Sequence, residues 1–112
     1  MKPYLIGLAT CVLLLSPGAA LAQDKQICEA KLFGKKARLW VEDGQPVRYQ
    51  WSNRAALSAQ MSGNQITIAA SPPATLSNVE MGQNGKGQAT ITGDWKFKTN
   101  TQDNVVFTCR PK

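Results

Sequence analysis

The chain has 112 residues, 43% hydrophobic and 18% charged, with 13 Lys and Arg against 7 Asp and Glu, a net charge of +6 and no histidine. This length fits a single domain, and without histidine the Ser-His and Cys-His nucleophilic devices and imidazole metal ligation are all excluded. The positive excess favours anionic partners, but the cations are spread from Lys25 to Lys112, so charge alone selects none.

The first segment reads as an export signal. Lys2, an apolar run from Tyr4 to Leu15, the helix-breaking Ser16-Pro17-Gly18 and the small-x-small Ala20-Leu21-Ala22 stand in signal-peptide order. They predict a cleavable signal at 1–22, cut between Ala22 and Gln23, and a domain at 23–112. A membrane-spanning helix needs about 20 apolar residues, more than this run offers. Leu8-Ala9-Thr10-Cys11 faintly resembles a lipoprotein box, which would leave Cys11 lipidated, but the apolar run before it is short and continues past the cysteine. The expectation is a periplasmic or extracellular protein with no transmembrane segment after cleavage.

Cleavage alters the cysteine and charge counts. Cys11 is lost, and Cys28 and Cys109 remain near the two ends of the domain. In an oxidising compartment one disulfide is the simplest reading. Losing Lys2 leaves 12 cations against 7 acids, a net +5.

Past residue 23 the apolar residues recur every second position, in short runs separated by Gly, Asn, Asp and Pro. Strands are predicted near 27–33, 36–42, 47–51, 65–70, 89–93, 95–99 and 105–109, with a weaker one at 75–81. Residues 53–61 are open between strand and loop, because Arg54-Ala55-Ala56-Leu57 also suits a helical turn. Turns are expected at Asp43-Gly44, Ser62-Gly63-Asn64, Asn84-Gly85-Lys86-Gly87 and from Asn100 to Asn104, and Pro72-Pro73 must be loop. The fold class is all-β: a small antiparallel β-barrel or β-sandwich of about seven or eight short strands, closed by one disulfide.

One hairpin carries most of the functional reading. Ala37, Leu39 and Val41 share one face of its first strand, and Lys36, Arg38, Trp40 and Glu42 share the other. If Glu42 pairs with Val47, Trp40 meets Tyr49 and Arg48 turns inward. A slip of one residue sets Leu39 against Tyr49, Val41 against Val47 and Trp40 against Arg48. The slipped register keeps Arg48 and Gln50 out of the core and is preferred. Lys36, Arg38, Trp40 and Arg48 then form a basic face around an aromatic centre, suited to an anionic glycan, a lipid headgroup or an acidic protein surface. The competing reading buries Trp40 beneath a loop. In Trp95-Lys96-Phe97-Lys98 the aromatics are expected inside and the lysines outside.

No spacing among Asp24, Glu29, Glu42, Asp43, Glu80, Asp94 and Asp103 singles out an acid/base pair, and Gly85-Lys86-Gly87 lacks the flanks of a phosphate loop. The reading is non-enzymatic, with no catalytic residue, metal, cofactor or specific nucleic-acid signal.

Cys28, Trp40 and Cys109 loosely resemble the immunoglobulin pattern, but almost nothing precedes Cys28 to form a first strand, three residues follow Cys109, and Phe107 lacks the corner hydroxyl. The outline of an exported β domain with cysteines near both ends, together with Ser62-Gly63, is similar to periplasmic inhibitors of c-type lysozyme. That resemblance implies inhibition of a secreted hydrolase by a loop such as 84–87 or 71–74. Ile66 stands where that family's Ser-Gly-x-x-Tyr signature has tyrosine, and a basic chain matches a cationic lysozyme poorly. Recognition of an anionic partner is the leading expectation, and hydrolase inhibition the alternative.

Overall fold

The computed structural model describes residues 25–112; the expected signal, its cut between Ala22 and Gln23, and Cys11 lie outside them. The described residues form β1 (Lys25–Leu32), β2 (Lys35–Glu42), β3 (Gln45–Trp51), β4 (Leu57–Ser62), β5 (Gln65–Ile68), β6 (Ala74–Gln83), β7 (Ala89–Phe97) and β8 (Asn100–Pro111). Each strand pairs antiparallel with the next, and β8 returns to β1, so the sheet closes as a barrel and not as a sandwich. Closure removes the unpaired edges on which a small sheet would aggregate.

Period-two alternation supplies the core. Cys28, Leu39, Ile66, Leu76, Ile91 and Phe107 point inward and are almost fully buried, each contributed by a different strand. The seam between the chain's two ends is covalent: Cys28 and Cys109 are direct ladder partners, bonded at 1.99 Å inside the barrel. The predicted disulfide is therefore also the closure of the sheet.

Two hairpins turn on residue pairs that both have left-handed φ, Phe33-Gly34 at 50° and 78° and Asp43-Gly44 at 52° and 80°. That geometry follows the twist of the strands it joins. Phe33 accordingly leaves the predicted first strand for the turn, where it is exposed. The Asp43-Gly44 turn pairs Glu42 with Gln45, and the preferred register holds where it matters most: Leu39 faces Tyr49 and Trp40 faces Arg48. It fails at Val47. A bulge between Trp40 and Val41 pairs Val41 with Pro46, so Pro46 turns inward and Val47 outward.

The open stretch resolves into both of its expected states, and two further boundaries differ from expectation. The open stretch 53–61 contains a turn and then β4, where Leu57, Ala59 and Met61 alternate with Ser58, Gln60 and Ser62. The runs 89–93 and 95–99 are one strand, β7, ended by a turn at Lys98-Thr99. Asn100 to Asn104 are not a turn but the start of β8, polar because the side chains there are mostly solvent-facing. Trp95 is buried and Lys96 exposed as predicted, whereas Lys98 sits in the turn with its ammonium 5.2 Å from the Phe97 ring centre.

Candidate functional site

The register of β8, β1, β2 and β3 fixes what the barrel wall presents. Arg110 is opposite Ile27, Ile27 opposite Trp40, and Trp40 opposite Arg48, giving one continuous row across four strands. All four face outward, the arginines exposed and Ile27 and Trp40 half-buried. Trp40 thus neither plugs the barrel nor lies beneath a loop. Its ring carries the Arg48 guanidinium 5.6 Å from the centroid, a cation–π arrangement.

The adjoining row runs Thr108, Glu29, Arg38 and Gln50. Glu29 gathers three cations: Arg110 Nη2 at 3.4 Å, Arg38 Nε at 3.5 Å and Lys36 Nζ at 3.9 Å. Arg38 Nη1 also donates to Gln50 Oε1 at 3.3 Å. Ion pairs this exposed contribute about 0–1 kcal/mol each, so their main effect is to orient the side chains. Lys36, Arg38, Arg48 and Arg110 against Glu29 leave the patch at +3.

The structure brings the predicted quartet Lys36, Arg38, Trp40 and Arg48 onto one wall and adds Ile27, Glu29 and Arg110. Arg110 was findable, because pairing Cys28 with Cys109 sets residue 27 against residue 110. Glu29 was not, since as one of 7 acids nothing in its spacing marks it as the centre of a cation cluster.

Among the described residues no group of three or more His, Cys, Asp or Glu side chains converges to hold a metal ion. No helix among them is long and apolar enough to cross a membrane. No protein family, curated protein or solved structure compared with the chain matches it.

Proposed function

We propose that this chain is an exported, non-enzymatic recognition domain whose β8–β1–β2–β3 wall binds an anionic glycan. The observation that carries the reading is the row Arg110, Ile27, Trp40, Arg48, in which two guanidinium groups flank an apolar pair. Neighbouring strands lie about 4.8 Å apart, so the backbones bearing the two arginines are about 14 Å apart. An extended polyanion whose charges alternate with the apolar faces of its sugar rings matches that pattern. A bilayer fits less well, since surface-inserting proteins press projecting apolar side chains into the lipid and here Ile27 and Trp40 are half-buried.

The test is titration of the purified protein with alginate, neutral dextran and phosphatidylglycerol vesicles at low and high salt. Alginate binding that weakens with salt and on Arg38→Ala plus Arg48→Ala is the expected result. Binding unchanged by that double variant, or stronger on vesicles than on alginate, overturns the reading.

Inhibition of a secreted hydrolase is the second reading, favoured by one detail. Asn84 Oδ1 accepts the backbone N–H groups of Lys86 at 2.9 Å and Gln88 at 3.0 Å, which fixes the exposed β6–β7 loop before any partner arrives. A preordered loop loses less freedom on entering a cleft. Capture of an envelope hydrolase that Asn84→Ala weakens, while the arginine variants do not, would decide for it.

A further inference from the structure

The barrel is open at the end where β1, β3, β5 and β7 finish. β3 and β4 share only two ladder pairs, Arg48 with Ser58 and Tyr49 with Leu57, before the chain diverges through residues 52–56. The divergence leaves a half-open cavity of about 370 Å³. That volume lies within the roughly 300–1,000 Å³ of small-molecule pockets.

The cavity is aromatic. Tyr49 and Trp95 stack with ring centres 5.0 Å apart and planes 27° apart, and Trp51 and Phe97 also line the space. Trp51 is held by its Nε1–H, which donates to the Leu32 carbonyl at 2.8 Å. Flat, fixed π-faces suit an aromatic ring better than a flexible chain.

Besides Asn100 and the occupied Trp51 N–H, two polar side chains belong to residues that line this apolar space, Tyr49 and Arg54. Tyr49 is 95% buried, and among the described residues its hydroxyl has no hydrogen-bond partner. Burial raises its pKa, so the hydroxyl stays protonated and able to donate. At the rim, Arg54 is the only charged lining residue among the described residues, and its guanidinium stands 5.7 Å from the Trp51 ring centre. Its backbone is fixed on both sides: the N–H donates to the Trp51 carbonyl at 3.1 Å, and the C=O accepts from Gln50 Nε2 at 2.8 Å. Among the described residues no carboxylate lines the cavity, and none forms an ion pair with Arg54.

We propose that the barrel mouth is a binding site for a small aromatic monoanion, its ring on the Tyr49, Trp51 and Trp95 walls and its carboxylate or sulfonate on Arg54. The site is separate from the basic wall and does not depend on what that wall binds. An acidic group bonds Arg54 at the rim, and a second acceptor on the ligand takes the Tyr49 hydroxyl. A neutral aromatic of the same shape keeps the walls and loses the rim contact.

A matched pair of dyes tests this. 1-Anilinonaphthalene-8-sulfonate carries the anion, and N-phenyl-1-naphthylamine has the same rings without it. The native protein should bind the sulfonate dye saturably. Arg54→Gln should weaken that dye by about fivefold, the scale of one partly exposed charge pair, and leave the neutral dye almost unchanged. Ala70→Trp, which fills the cavity, should remove both, and Ala55→Trp on the exposed loop serves the same purpose if the first does not fold. Failure of the sulfonate dye to bind, equal loss of both dyes on Arg54→Gln, or binding that survives the filled cavity overturns the proposal.

Discussion

The Asp94 carboxylate on β7 accepts the backbone N–H of Asn104 on β8 at 3.0 Å, and its other oxygen accepts the side-chain amide of Asn78 on β6 at 3.0 Å. Both asparagines have a left-handed φ of 53°, and each stands at a register shift in the strand beside β7. One side chain therefore ties the irregularities of both its neighbours. These bonds, the Asn104 N–H first, hold the carboxyl below the usual carboxylate range. A depressed pKa stabilises the fold above the ordinary value of about 3.9, and the benefit is lost as pH falls below it. Asp94→Ala should melt lower than the parent at neutral pH, with the gap closing below about pH 4. Thermal melts of both proteins across the acid range check this, and a gap that stays constant would rule out the charge as its source.

Gly93 needs to be glycine for a steric reason. A Cβ there would lie 2.7 Å from Leu76 Cγ and 2.8 Å from the Ser77 carbonyl on β6. Gly93→Ala should destabilise the barrel by about 1–3 kcal/mol through overpacking. Urea unfolding measures it, and an unchanged midpoint would mean that β6 moves aside freely.

The same two strands explain what the sequence reveals and what it hides. Ala89, Ile91, Gly93, Trp95 and Phe97 keep one inward phase along β7, so its pattern is legible, although Gly93-Asp94 looks like a break. In β6 the phase runs Ala74, Leu76 and then Val79, because Asn78 is an extra residue, and 75–81 reads as a weak strand. β4 alternates cleanly, but Arg54-Ala55-Ala56 before it carries helix-favouring composition. The basic wall was half legible, since it follows from one hairpin register that alternation could narrow to two choices. The barrel mouth was not legible at all: its lining runs from Leu32 to Asn100, and only closure of the sheet brings those residues together.

Opening the Cys28–Cys109 bond should remove a large share of the stability. The partners are 81 residues apart, and a loop of that length corresponds to about 4–5 kcal/mol in the chain-entropy account. Cys28→Ala plus Cys109→Ala should shift the denaturant midpoint accordingly. Native-state hydrogen exchange should show the loss first at the short β1–β8 ladder between Gln26 and Glu29. Protection lost evenly around the barrel would contradict the seam as the weak point.

Glu29→Gln separates stability from recognition. Removing the carboxylate shared by Lys36, Arg38 and Arg110 should cost no more than about 1 kcal/mol in a melt, since the cations stay solvated. It raises the patch from +3 to +4, so alginate should bind more tightly and with a steeper salt dependence. Weaker binding would mean that Glu29 positions the arginines more than it opposes the ligand.

Because β8 returns to β1, the first and last described residues meet: the Lys112 N–H donates to the Lys25 carbonyl at 3.2 Å. They meet at the opposite end of the barrel from the aromatic mouth, about 23 Å away along β1. A tether, a fluorescent partner or a solid support attached at either place leaves the mouth facing solvent. Joining the two and reopening the chain at Gly85, where an added Cβ meets nothing within 4 Å, would give a circularly permuted barrel with its strand order rotated and its cavity intact.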